Sequence, residues 1–135
     1  ARARGRAADP KVLELIDDLQ TAKRHLTRFV VREAGRLLLV DAAQVDWIEA
    51  ADNYAVLHAG AATHLVRETM AGLVTELDPE RFVRIHRSAI VQIDRVRELQ
   101  PAFHGDFIVL LRDGTRLSMS RGYRSAVEAV LGRSL

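Results

Sequence analysis

Arg81, Arg84 and Arg87 recur within seven residues, among His86, Ser88 and the apolar side chains of Phe82, Val83, Ile85, Ile90, Val91 and Ile93. The apolar residues can hold Arg81 to Ile93 in a sheet as a half-buried strand, leaving the guanidinium groups on a rigid base. Arginine binds phosphate through paired hydrogen bonds and reads guanine at O6 and N7, chemistry suited to nucleic acid. The same charges can also serve as a solvated strand edge that blocks aggregation. The stretch alone leaves both readings open. On an ideal strand, residues three apart point to opposite faces, so Arg84 and Arg87 serve one surface only if the chain bends near His86 to Ser88.

Three further positions carry usable chemistry. Asn53 lies between two strand-like runs, where asparagine is common because it tolerates left-handed backbone; its carboxamide can also pair with adenine at N6 and N7. Ser120-Arg121 precedes an apolar helical pattern, so Ser120 is expected to cap the helix and Arg121 to project from its first turn, where an anion is favoured. His86 can bond a phosphate or a carbonyl. His58 and His64 flank a hairpin and can face each other, but two imidazoles without a third ligand make a poor metal site. No metal or cofactor is expected.

Composition closes other classes. Without cysteine there is no disulfide framework, thiolate zinc site or thiol nucleophile. No Ser-His-Asp order, glycine-rich phosphate loop or spaced carboxylate pair stands out, so no enzyme activity is expected. No apolar run approaches the ~18 residues of a membrane span, and no signal-type apolar region follows the N-terminal arginines. A soluble, cytoplasmic protein is expected, and a first residue of alanine suggests a fragment or a processed start. The net charge is only +2, with 18 arginines and two lysines, but it is unevenly placed. Five arginines and Asp94 between Arg81 and Arg97 give +4, while Asp41 to Asn53 holds four acids and no base. Such zones can steer an anionic partner onto one side.

The elements that must position these residues are short. Residues 1–8 read as a disordered arm. At 9–26, Asp9-Pro10 starts an amphipathic helix with Val12, Leu15, Ile16, Leu19, Ala22 and Leu26 on one face. From 27 to 135 the period becomes strand-like. Hairpins are predicted around Ala34-Gly35, Ala51 to Asn53, Gly60 to Ala62 and Asp113-Gly114. Thr69 offers an N-cap to a short helix over Met70 to Leu77; a strand at Val96 to Leu99 breaks at Pro101, and a final helix carries Tyr123, Val127, Val130 and Leu131.

W-I-E-A-A-D-N-Y at Trp47 to Tyr54, F-V-R-I-H-R-S-A-I-V at Phe82 to Val91 and S-R-G-Y at Ser120 to Tyr123 together resemble the LytTR family of bacterial DNA-binding output domains. The resemblance runs from about Phe29 to Leu131. It implies a mostly β, elongated arrangement of small sheets with a short mid-chain helix, a C-terminal helix and, in this chain, an N-terminal linker helix. It implies sequence-specific binding of double-stranded DNA by a transcription regulator of a two-component system, with loops entering successive major grooves of direct-repeat sites. An upstream receiver domain and a homodimer on DNA are the implied partners. By position, base contacts fall on Asn53, Arg87 and Arg121, and backbone contacts on Arg84, His86, Ser120 and Arg124. Ala89 stands where the family often has an aromatic residue and Gln92 where it often has asparagine. A β-rich protein-interaction or ligand-sensing module with a basic face is the other reading; the low aromatic content, 5%, argues against a small-molecule cage.

Overall fold

A computed structural model describes residues 25–135. Residues 1–24, which hold the expected arm and nearly all of the expected linker helix, lie outside the described residues; His25 and Leu26 are not helical. Strands β1 (Arg28–Glu33) and β2 (Arg36–Asp41) form a hairpin. Its two turn residues, Ala34 at φ 48° and Gly35 at φ 77°, both take left-handed backbone, which matches the twist of the flanking strands. Strands β3 (Trp47–Ala51), β4 (Tyr54–Ala59) and β5 (Ala62–Val66) meander into helix α1 (Met70–Glu76). The N-cap is Thr69, whose hydroxyl accepts from Gly72 N–H, as its position before the apolar periodicity predicts.

The stretch from Arg81 to Ile93 is not one strand. It is a hairpin of β6 (Phe82–His86) and β7 (Ala89–Gln92), turning at Arg87 and Ser88. The bend required by the arginine spacing is present twice, as this turn and as a register shift between Arg84 and His86 that leaves Ile85 outside the ladder. Strands β8 (Val96–Pro101), β9 (Phe107–Leu111) and β10 (Arg116–Met119) follow, and helix α2 (Arg124–Leu131) closes the chain. Pro101, expected as a break, ends β8 instead.

The strands form three antiparallel sheets, β1-β2, β5-β4-β3-β7-β6 and β10-β9-β8. The five-stranded sheet has a core on each face. On one side Ile48, Leu57 and Ile90 pack with Phe29 and Val31 of β1 and with Leu73 and Leu77 beside them. On the other, Val83, Ile85, Ala89 and Val91 pack with Val109, Leu111, Met119 and Val127. Every residue of β7 is buried, which is why A-I-V-Q shows no polar alternation.

Gln92 is the buried polar residue of that strand, and its carboxamide donates to the carbonyls of Ala43 at 3.0 Å and Val45 at 2.7 Å. It thereby fastens the segment between β2 and β3 onto the central sheet. Gln92→Leu keeps the volume but removes both donors; Ala43 O still accepts from Arg95 Nη2 at 2.9 Å, whereas the buried Val45 carbonyl is left short of this partner at a cost of ~1–3 kcal/mol. We expect urea unfolding to show a lower midpoint with an unchanged m-value; an unmoved midpoint would show that these bonds contribute nothing net.

Candidate nucleic-acid interface

Sheet order brings the three sequence-predicted loops to one end of the central sheet. The β3–β4 turn at Asp52 and Asn53 and the β6–β7 turn at Arg87 and Ser88 are neighbours because β3 pairs with β7, Glu49 opposite Ala89. Ala50 N–H donates to Ser88 O at 3.0 Å across the gap between them. On the far side of β6, Ser120 N–H donates to Ile85 O at 2.9 Å. The residue displaced by the bulge therefore holds the third loop. Asn53, Arg87 and Arg121 are exposed along this row.

The first loop corrects one expectation. Positive φ falls on Asp52, at 56°, and not on Asn53. Asn53 is therefore not needed for left-handed backbone, and its exposed carboxamide is left for another use. Arg67, which the sequence reading passed over, emerges just after β5 and shares a cleft of about 510 Å³ with Asp52, Asn53 and Tyr54.

The second loop is braced by its own residues. Arg84 is half-buried; its Nη2 donates to Arg87 O and its Nε to His86 O at 3.3 Å, and its guanidinium lies 5.8 Å from the centre of the Tyr123 ring. The His86 ring accepts Ser88 N–H at Nδ1, 3.2 Å, and the same nitrogen lies 2.9 Å from Ser88 Oγ. An accepting Nδ1 puts the ring proton on Nε2, leaving a donor free for an anion. Arg87 itself extends from the turn.

The third loop departs from expectation. Ser120 makes no side-chain cap bond, and Arg121–Tyr123 form a separate 3-10 turn before α2. What anchors it is Asp106, whose Oδ1 accepts Arg121 N–H at 2.9 Å. The partners lie 15 residues apart, and no local pattern announces the contact. Arg124 is held by Glu128 at 3.5 Å and by the carbonyl of Leu135, with its guanidinium 5.9 Å from the Phe107 ring centre.

His58 and His64 do not converge. His58 pairs with Thr63 and His64 with Leu57, so the two alternate across the ladder. His58 stacks on Trp47 and contacts Glu49 at 3.0 Å, while His64 contacts Glu33 at 2.9 Å. No group of three or more metal-ligating side chains gathers among the described residues. Likewise, no helix of the described residues is long and apolar enough to cross a membrane.

The family model described as the LytTr DNA-binding domain matches residues 35–132. A sensory transduction protein LytT from Bacillus anthracis is 24% identical over 111 residues, covering 82% of this chain and 44% of the relative. A transcriptional regulatory protein LytR from Staphylococcus aureus is 32% identical over 56 residues, or 42% of this chain and 23% of the relative. A solved structure from Bacillus cereus, described as the LytTr DNA-binding domain of a methyl-accepting/DNA response regulator, superposes with a TM-score of 0.72 at 23% identity. It covers 79% of this chain and 98% of that one. Against the LytT relatives from B. anthracis and Bacillus subtilis, the chain spans 44% and 39% of their length.

The brace on the second loop is open to measurement. Arg84→Met keeps most of the stem and removes both carbonyl bonds, which should raise amide exchange in the turn around Ser88 about tenfold, equivalent to ~1.4 kcal/mol. Exchange at Ile48 and Leu57, at the centre of the sheet, should stay constant. Equal acceleration at all sites would mean that Arg84 supports the domain and not the turn.

Proposed function

The chain belongs to the LytTR family of DNA-binding domains, and on that premise we propose that it binds double-stranded DNA sequence-specifically as the output domain of a bacterial transcription regulator. The observation that carries this reading is the row of Asn53, Arg87 and Arg121, exposed on three neighbouring loops that a rigid sheet supports. Their donors suit base edges, and loops on such a scaffold can be held to groove geometry.

The order of the loops along the row supports one mode of docking. The β3–β4 and β6–β7 turns are two strand widths apart, about 10 Å, and the Arg121 loop lies beyond β6. Successive major grooves are separated by a minor groove ~6 Å wide and repeat every ~34 Å along the axis. With the Asn53 and Arg121 loops in two successive major grooves, the Arg87 loop crosses the minor groove between them, where its guanidinium donates to the acceptor edges of the bases that face it. His86 Nε2 and Ser120 then lie beside the backbone. Arg84, bound to its own turn, supports Arg87 while its remaining N–H groups face phosphate, and Arg124 reaches phosphate by leaving Glu128 and Leu135.

In this proposal residues 27–135 are the DNA-binding unit and 9–26 the linker. The length of the LytT relatives leaves room for an upstream receiver domain, and paired direct-repeat sites would seat a homodimer. The proposed role contains no catalytic step.

Arg87→Ala should weaken binding to a selected duplex by about 1–3 kcal/mol and relax the preference at one position, while affecting random duplex much less. Competition binding at physiological salt measures both. Equal losses on the two duplexes would remove the base-contact role. A wild-type protein that prefers no duplex over random sequence would defeat the reading and point to a protein-interaction module.

A further inference from the structure

Phe103 is the most exposed large apolar side chain of the described residues, at 85%. A single apolar residue on a surface is ordinary; its setting distinguishes this one. Phe103 opens a tight turn in which Asp106 N–H donates to Phe103 O at 3.1 Å, while Ala102 N–H donates to Asp106 O at 2.8 Å. His104 and Gly105 between them take left-handed backbone in succession, at φ 60° and 82°. Positive φ at both central positions is the pattern of a type I′ turn, which closes the β8–β9 connection tightly. The ring therefore stands in water on fixed backbone.

The turn lies against the third contact loop. β9 starts at Phe107, which pairs with Pro101 at the end of β8 and with Met119 at the end of β10. The chain entering β9 and the chain leaving β10 therefore emerge side by side from one end of the three-stranded sheet. Asp106 Oδ1 accepts Arg121 N–H at 2.9 Å, and a Cβ built on Gly105 would lie 3.6 Å from Arg121 Cβ and 3.8 Å from its Cδ. The turn backbone thus runs along the stem of Arg121, and a surface met by the Arg121 head passes beside Phe103 and His104.

We propose that Phe103 is a further specificity-determining contact, its ring meeting the C5-methyl group of a thymine in the major groove that Arg121 enters. The inference rests on the reading of the three loops as a DNA-binding row. The ring has no hydrogen-bonding group, and the thymine methyl is the apolar mark that the major groove displays, so it is the base feature that phenylalanine can read. Fixed backbone confines the ordering cost to the ring's own torsions. Asp106, the acid of this turn, is held by Arg121 N–H, and His104, exposed beside the ring, brings an N–H donor and no negative charge.

Uracil lacks only that methyl group, so it isolates the contact. In the duplex selected by the wild-type protein, replacing thymines one at a time by uracil should weaken binding about fourfold at one position, the worth of one buried methyl group. That position should lie beside the one whose preference Arg121→Ala relaxes. Phe103→Ala should bind the unmodified duplex about fourfold more weakly, or worse, and become indifferent to uracil at that position. Because the ring is exposed, thermal unfolding of the free variant should match wild type. Indifference of the wild-type protein to every uracil, or a Phe103→Ala variant that keeps the wild-type sensitivity, would overturn the contact. So would unchanged DNA binding by Phe103→Ala together with loss of a dimer that the wild-type protein forms without DNA, which would assign the ring to a second copy. A wild-type protein that prefers no duplex defeats the DNA-binding reading and this inference with it, whereas undiminished selectivity in Phe103→Ala defeats this contact alone.

Discussion

Strand β7 has solvent on neither face, and the positions of the three loops follow from that burial. Ile90 packs into one core and Ala89 and Val91 into the other, while β3 and β6 pair along its two edges. A one-residue slip of β7 would exchange these sets between differently shaped cores. Such a slip would also part Glu49 from Ala89 and so move the Arg87 turn relative to the Asn53 turn. Register is therefore set by packing on both faces, and loop placement inherits that precision. The bulge at Ile85 adds the third loop to the same framework, because a residue displaced from one ladder has a carbonyl available to Ser120.

Around the loops, polar groups divide into supports and free ends. Arg84, the His86 Nδ1 and Asp106 are bound to backbone of the second and third loops. Arg87 and Arg121 extend outward from those same loops, and Asn53 from the first. Binding requires side chains to be ordered, at roughly 0.5–1.5 kcal/mol for each mobile one. A turn already fixed by internal bonds confines that cost to the tip of the contact residue. The arginine content acquires a structural meaning as well: Arg84 reaches two carbonyls and an aromatic ring from one planar head, which a lysine ammonium does not reproduce.

Much of this was legible locally. Turn chemistry located the Ala34–Gly35 and Asp113–Gly114 hairpins, Thr69 marked its helix, and the spacing of Arg84 and Arg87 demanded a bend where one exists. What stayed hidden was set by contacts between distant residues. The apolar run around Arg81 to Ile93 has the period of a single buried strand, and only the two-sided core shows that it folds back on itself. Ser120 has the composition of a cap, yet Tyr123 occupies the N-cap position of α2, and Asp106 supplies the bond that holds the loop. Asn53 looked like the residue that absorbs left-handed backbone, but Asp52 does so, because the connection is the two-residue turn Asp52-Asn53, with Ala51 still in β3.

The acidic zone from Asp41 to Asn53 looked like a counterweight to the basic stretches, and the fold dissolves it. Asp41 pairs with Arg28, and Asp46 lies 3.2 Å from Arg95 Nε while its other oxygen accepts Gly60 N–H. Glu49 contacts His58, whose ring stacks on Trp47. These carboxylates are thus committed to the scaffold, where opposite charges or N–H groups offset them at short range. Screening then removes most of their effect on exposed groups more than ~10 Å away. Asp52 is the exception, for it stands at the tip beside Asn53 and forms no ion pair among the described residues, although Arg67 lines the same cleft. Its φ of 56° supplies the reason for its presence, since aspartate is among the few side chains that tolerate this backbone. The field at the loop end is therefore set by Arg67, Arg87 and Arg121 together with one acid kept for geometry. A formal charge of only +2 is compatible with a cationic loop end because Asp41, Asp46 and Glu49 are held by partners elsewhere in the fold.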